Sequence, residues 1–330
     1  MSTIVRWGVL GAAKIGWEHL CPAIHLSERG EFYALATRSR EKAQPYLDCY
    51  PGLTVHGSYE DLLADPEIHA VYIPLPNSMH VEWTRKALDA GKHVLCEKPI
   101  ALQAAEIDTL IAARDRTGLV AAEAFMVTHH PQWLFVRDQV QSGAIGRLQF
   151  VQGAFSFNNA AEPDNIRNRD DLGGGALRDI GVYPSVTTRF VTGQEPLNVR
   201  STIEWDRGID ATATVLAQFP DFTLQFYCSM RLGARQEMVF HGDEGFIRVT
   251  APFNAGLYDG ETVQIRRDDG TTTTRRFLNS QHYLRQIEAF NRSVLDNDPF
   301  PCTLEFSRDN QVMIDMIYTA AGGEESGGSS

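Results

Sequence analysis

The residues with the clearest chemistry stand near the start of the chain, where Gly11-Ala12-Ala13-Lys14-Ile15-Gly16 ends one apolar run and opens a helical one. A glycine at the first position permits a tight turn. The helix start that follows aims its free N–H groups and its positive dipole end at any anion placed there. The spacing is that of a GxGxxG phosphate loop with Ala13 in place of the middle glycine, so a diphosphate sits farther off or is held differently. Dinucleotide binding is the chemistry that fits. The next strand ends in Ala36-Thr37-Arg38-Ser39-Arg40. NAD-binding domains usually place Asp or Glu there to accept from the ribose 2′-hydroxyl, and none is present. Two guanidinium groups and a hydroxyl stand where a 2′-phosphate would sit, and arginine binds phosphate bidentately. NADP is therefore expected ahead of NAD.

Such a loop needs a frame. Residues 1–124 alternate candidate strands (Val5–Leu10, Phe32–Thr37, Ala70–Leu75, His93–Glu97 and Val120–Ala124) with candidate helices (Ile15–Leu26, Arg40–Tyr50, Ser78–Ala90 and Ala104–Thr117). This order predicts right-handed βαβ units and an α/β Rossmann domain with a doubly wound parallel sheet. Pro22 inside the first helix candidate predicts a kink. From 125 to 330 the texture changes. Leu148–Phe157, Thr212–Phe219, Phe222–Met230, Met238–His241, Gly245–Thr250 and Val263–Arg267 read as strands separated by Pro220-Asp221, Gly242-Asp243 and Asp269-Gly270 turns. An α+β domain on a mostly antiparallel open sheet follows. It closes with a helix whose apolar face carries Val312, Met313, Met316, Ile317 and Ala320, and then a frayed Gly322–Ser330 tail.

Composition excludes several classes. At 330 residues two domains are the natural expectation, and a net charge of −12 leaves no basic excess for nucleic acid or an anionic membrane. The five cysteines are sparse and form no CxxC pair, so no structural metal and no disulfide framework is expected. No run approaches the ~20 apolar residues of a membrane span. The Ile4–Leu10 stretch, broken by Arg6 and Gly11, is no signal peptide, so the cytoplasm is the expected compartment.

Two further motifs are specific. Glu97-Lys98-Pro99 sits at the end of a candidate parallel strand, where open α/β sheets place ligands, and Gly173-Gly174-Gly175-Ala176-Leu177-Arg178-Asp179-Ile180-Gly181-Val182-Tyr183 follows far downstream. With the glycine loop and Pro74-Leu75-Pro76-Asn77-Ser78-Met79-His80, they make the whole chain resemble the glucose–fructose oxidoreductase/inositol dehydrogenase/rhizopine-catabolism (Gfo/Idh/MocA) family. Within that family it is most similar to NADP-dependent sugar dehydrogenases and dimeric dihydrodiol dehydrogenases. Asn165-Ile166-Arg167-Asn168 and Phe125-Met126 with His129-His130-Pro131-Gln132 add to that likeness. The resemblance implies that Lys98, Asp179 and Tyr183 are catalytic, and that Pro76, Asn77, His80, Glu97, Lys98 and Arg167 join Gly11 to Gly16 and Arg38 to Arg40 around the cofactor. It also implies a homodimer or higher homo-oligomer paired through the second domain.

Physical chemistry supports those roles. A phenol with a pKa near 10 is a poor base unless a cation favours its phenolate, and Lys98 can supply one. It can also donate to the substrate oxygen or the nicotinamide ribose. Asp179 and Tyr183 are four apart, so a helix puts both on one face, and Asp179 then orients a substrate hydroxyl or Tyr183 itself. Pro184 predicts a kink just after the pair. His80 reads equally as a helix-surface histidine. His129 and His130, taken as adjacent strand residues, point opposite ways, so at most one faces a site. The expected reaction is hydride transfer between NADP(H) and a sugar-like substrate, foremost oxidation of an aldose at C1 to a lactone. Dihydrodiol oxidation or anhydro-sugar ketone reduction is the alternative, and a dinucleotide-sensing regulator the non-enzymatic one.

Overall fold

The computed structural model describes residues 3–258 and 260–322. They divide into two units: the chain up to His129 with Gln281–Arg308, and His130–Ser280 with the chain from Asp309. The sequence suggests a single boundary after residue 124. Instead the chain crosses at His129 and returns Gln281–Arg308 to the first unit. Most of the suggested tail, from residue 323, lies outside the described residues. Among the described residues no helix is long and apolar enough to cross a membrane.

The first unit holds six strands: β1 (Val5–Leu10), β2 (Gly30–Ala36), β3 (Thr54–His56), β4 (Ala70–Ile73), β5 (His93–Cys96) and β6 (Ala121–Glu123). They lie in the order β3-β2-β1-β4-β5-β6, and every pairing is parallel. The order reverses between β1 and β4, the switch point at which doubly wound sheets take ligands. Strands covered on both faces read as unbroken apolar runs, and β4 is buried at all four positions. β3 escapes that signal because its three residues are exposed or half-buried.

Between these strands run α1 (Cys21–Leu26), α2 (Arg40–Cys49), α3 (Tyr59–Ala64), α4 (His80–Asp89) and α5 (Ala104–Thr117). Ser39 and Ser58 cap α2 and α3 by accepting from Lys42 N and Asp61 N, and Gln103 with Glu106 forms a capping box on α5. Ile107 and Leu110 of α5 are buried in the same core cluster as Val71 of β4 and Val94 of β5. Each such side chain contributes roughly 1.5–3 kcal/mol of burial. Pro22 lies near the start of α1, and the helical run it falls in is widened just ahead of it by a π-helical turn, Gly16–Leu20.

The second unit is built on eight strands: β7 (Leu148–Asn158), β8 (Asn198–Asp206), β9 (Ile209–Gln218), β10 (Thr223–Ser229), β11 (Arg231–Gly242), β12 (Gly245–Val249), β13 (Thr262–Arg267) and β14 (Thr272–Arg276). Their order is β14-β13-β12-β11-β7-β10-β9-β8, antiparallel except for β7 with β10. Along β9, Ala211, Ala213, Val215 and Ala217 are buried while Thr214, Leu216 and Gln218 are exposed, the period-two pattern of a sheet with one open face. Two helices belong here, α6 (Pro131–Gln141) and α7 (Val182–Thr192). The chain then re-enters the first unit through α8 (His282–Asp296), and α9 (Leu304–Gly322) spans the second crossing.

α8 is not among the helices the sequence suggests; its buried side mixes Ile287, Ala289 and Phe290 with Gln286, Asn291 and Ser293. Asn291 Oδ1 accepts from Trp7 Nε1 of β1 at 3.0 Å, and Phe290 lies 5.0 Å from the Trp7 ring.

Candidate active site

In the first unit the glycine loop is a tight turn that leads into a helix start. Gly11 takes φ +97°, a conformation that side chains disfavour, and donates to Ala36 O at 2.9 Å. The chain then enters its first helical turn, so the amides of Ala13, Lys14 and Ile15 are helix-start donors with no carbonyl to reach behind them. Lys14 is largely exposed and pairs only loosely with Glu18, at 3.8 Å. Gly16 is less demanding, for a Cβ there meets nothing nearer than 3.8 Å. At the end of β2, Arg38 and Arg40 are exposed, and neither guanidinium has a protein partner among the described residues. Ser39 Oγ accepts the cap bond from Lys42 N at 3.2 Å, which leaves its proton free to donate.

The loops after β4 and β5 are braced from behind. Glu97 Oε1 accepts from Tyr72 Oη at 2.7 Å, and Glu97 Oε2 from Lys98 N at 3.2 Å. The Lys98–Pro99 peptide is cis. His80, expected at the cofactor or on the helix surface, does neither. It is fully buried, with Nδ1 2.7 Å from Pro99 O and Nε2 2.8 Å from Leu75 O. Each ring nitrogen faces a carbonyl oxygen, and a neutral imidazole donates to one of them, so His80 sits wedged between the two loops. Burial lowers its pKa, while the two carbonyl oxygens act the other way. Pro76 and Asn77 stay half-buried in a 3-10 turn, with Met79 N donating to Pro76 O at 2.8 Å. Glu123, which sequence reasoning missed, accepts from Ile100 N at 2.9 Å and is pushed up to about 7 by burial.

In the second unit a π-helical turn, Leu177–Gly181, runs directly into α7 and carries Asp179 and Tyr183. Pro184 falls in the first turn of α7, so the expected kink is replaced by the wider π turn ahead of it. Tyr183 is 5% exposed, packed 5.6 Å from Phe155 and 5.4 Å from Phe253. Arg167 Nε donates to Asp179 Oδ2 at 2.7 Å, and Asp179 and Tyr183 both raise the guanidinium pKa. The guanidinium of Arg167, expected at the cofactor, is thus engaged with Asp179.

The glycines of this motif are filled space. A Cβ on Gly174 would lie 2.5 Å from Arg167 O, one on Gly175 2.0 Å from Asp210 Oδ1, and one on Gly181 3.0 Å from Cys228 Sγ. They let the protein approach itself. The histidine pair is not in a strand: His129 ends a 3-10 turn, buried near Phe300 with its pKa driven down to about 3 by burial, and His130 caps α6 by accepting from Gln132 N at 3.0 Å.

Residues 5–125 match the GFO_IDH_MocA family, described as an oxidoreductase family with an NAD-binding Rossmann fold, and residues 133–248 match the GFO/IDH/MocA C-terminal domain. A dTDP-3,4-didehydro-2,6-dideoxy-alpha-D-glucose 3-reductase from Streptomyces violaceoruber is 36% identical, over 81% of this chain and 79% of its own. A D-xylose 1-dehydrogenase (NADP(+)) from Haloferax volcanii is 32% identical, over 96% and 97%. A solved 3-ketoreductase from Actinomadura kijaniata, in complex with NADP and TDP-benzene, superposes with a TM-score of 0.88 at 30% identity, covering 96% and 98% of the two chains. Motifs, fold and relatives agree: the chain belongs to the Gfo/Idh/MocA family of oxidoreductases.

Proposed function

We propose that this protein is an NADP(H)-dependent oxidoreductase that exchanges a hydride with a sugar or sugar-like diol, with Tyr183 handling the proton. The observation that carries the reading is the grouping of a buried phenol, an ion-paired carboxylate and a guanidinium at one helical turn. The first unit suits NADP: loop and helix-start amides from Ala12 to Ile15 for the diphosphate, and Arg38, Ser39 and Arg40 for the 2′-phosphate. Pro76, Asn77, Glu97 and Lys98 stand in loops at the carboxyl ends of β4 and β5. When bound, the cofactor supplies the hydride chemistry at its nicotinamide C4.

The chain's own residues handle the rest. In oxidation the Tyr183 phenolate takes the substrate hydroxyl proton, and in reduction the phenol returns it to the carbonyl oxygen. Asp179, held by Arg167, orients that hydroxyl or Tyr183. Lys98 is proposed as the third member, its ammonium favouring the phenolate.

Oxidation of an aldose at C1 is the leading form, supported by the Haloferax dehydrogenase, which the chain matches nearly end to end. The two reductases favour a second form, reduction of a ketone on an activated sugar. A panel of aldoses, diols and nucleotide-linked ketosugars, assayed by nicotinamide absorbance with NADP and NAD in both directions, separates the two. Tight NADP binding with no turnover on any of them would mark a dinucleotide sensor and reject the enzymatic reading. We also propose that two copies pair through the open face of the second sheet, where Leu216 is exposed beside a shallow cleft lined by Gln152, Gln225 and Val239. A monomer in sedimentation would reject that pairing. All five cysteines are free, which fits a reducing compartment such as the cytoplasm.

A further inference from the structure

We infer that Asp210 is a positioning residue for the reaction proposed above, a buried clasp that sets where Asp179 and Tyr183 stand. Asp210 lies on β9 and is 1% exposed. Its Oδ2 accepts from Leu177 N at 2.6 Å and its Oδ1 from Tyr318 Oη at 2.8 Å. Leu177 opens the π turn, so its amide is one of the donors a helix start leaves unpaired. The residue before it is Ala176, which has no side-chain acceptor, and the carboxylate that serves instead comes from 33 positions downstream. An anion there also suits the positive end of the helix.

Gly175 extends the clasp. It takes φ +125°, and a Cβ on it would meet Asp210 Oδ1 at 2.0 Å. Its carbonyl accepts from Asp179 N at 3.0 Å, and its amide donates to Arg167 O at 3.0 Å. The glycine seated on Asp210 therefore holds the main chain of both members of the Arg167–Asp179 pair. Arg178, Tyr318 and Cys228 also feel the charge of Asp210, which is buried from solvent. Asp210 acts through the turn.

The test compares Asp210→Ala with Asp210→Asn, which keeps an acceptor for Leu177 N. In Asp210→Ala, kcat on the best sugar should fall about 10–100-fold, the scale of a misplacement of about 1 Å. The sugar KM and the NADP affinity should stay within about threefold, since binding groups remain in place. Asp210→Asn should recover most of the lost kcat. Hydrogen exchange across Leu177–Tyr183 should rise in Asp210→Ala, and this is read without substrate. A second check is Gly175→Ala, whose loss of kcat should shrink when Asp210 is already Ala, because the steric conflict is gone while the backbone strain is common to both backgrounds. Unchanged kcat in folded Asp210→Ala overturns the clasp, as do Asp210→Asn losses equal to those of Asp210→Ala, or Gly175 and Asp210 losses that simply multiply. A wild type inert on every sugar overturns the function instead, and unchanged exchange at Leu177–Tyr183 would then overturn the clasp separately. If Asp210→Ala does not fold, Asp210→Ser and the Gly175→Ala loss decide.

Discussion

The molecule contains two glycine-rich turns, each leading into a π-helical turn, and they do opposite things. After β1, a Cβ on Gly11 would meet side chains, those of Leu75 and Tyr59 at 3.2 and 3.3 Å, and among the described residues the helix-start amides beyond it have no protein acceptor. In the second unit the turn is closed on itself, with Gly174 against the carbonyls of Arg167 and Arg169 and Gly175 against Asp210. Similar composition thus gives a turn into helix-start amides in one place and a turn packed on backbone and carboxylate oxygens in the other. What separates them is whether the missing Cβ would meet side-chain atoms at 3.2 Å or more, or backbone and carboxylate oxygens at 2.5 Å or less.

The sharpest way to break that comparison is to disable the chemistry while leaving both turns intact. Tyr183→Phe keeps the ring between Phe155 and Phe253 and removes only the hydroxyl. The catalytic rate should fall by about 10²–10⁴ with NADP affinity unchanged, as measured by steady-state kinetics and calorimetric titration. Lys98→Met should do comparable damage, and the double variant should be scarcely slower than the worse single one, because groups that act as a unit are not additive. A wild-type rate in Tyr183→Phe would remove the proposed base.

The open cradle is tested by Arg38→Ala. Loss of one charged contact to a 2′-phosphate should cost roughly 1.5–3 kcal/mol of NADP binding and leave NAD binding nearly unchanged. Equal losses for both cofactors would show that this end of β2 does not read the phosphate.

The packing contrast predicts unequal tolerance to one methyl group. Gly174→Ala must displace three backbone carbonyls and should destabilise the protein by roughly 1–3 kcal/mol. Gly16→Ala places its Cβ at ordinary contact distance and should cost little or nothing in denaturant unfolding. Similar midpoints for the two variants would contradict the description of the second turn as filled.

The smallest expected effect concerns Glu123, whose carboxyl is pushed up to about 7 by burial. Its folded pKa lies above its unfolded value of 4.5, so the native state binds the extra proton between those values, and stability from this group falls as pH rises through that window. Glu123→Gln can still accept from Ile100 N and removes the ionisation. Its melting temperature should exceed wild type by a few degrees above pH 7, about 2–4 °C per kcal/mol for a chain of this class, and the gain should vanish towards pH 4.5. A difference independent of pH would mean that Glu123 does not titrate in that range.

Much was legible in the residues alone. The parallel strands read as apolar runs because both faces are covered, and the capped helices between them follow from local signals such as Ser39 before α2 and Gly118 after α5. The phosphate loop and the absence of a carboxylate after β2 are likewise local, since a turn and its helix start need only neighbours in sequence. The roles of His80, Glu123, Arg167 and Asp210 could not be read this way. Each depends on partners that only folding brings near: Pro99 O for His80, Ile100 N for Glu123, Asp179 for Arg167, and Leu177 N with Tyr318 for Asp210. Asp210 left a faint trace, an aspartate inside the strand-like Ile209-Asp210-Ala211-Thr212, where that residue type is disfavoured. The assignment of α8 to the first unit was equally hidden, because its buried face is partly polar and is satisfied by Trp7 from the far end of the chain. Local backbone geometry is written in adjacent residues. Hydrogen-bond partners hundreds of positions apart are decided only when the core closes and leaves a buried polar group no other place to go.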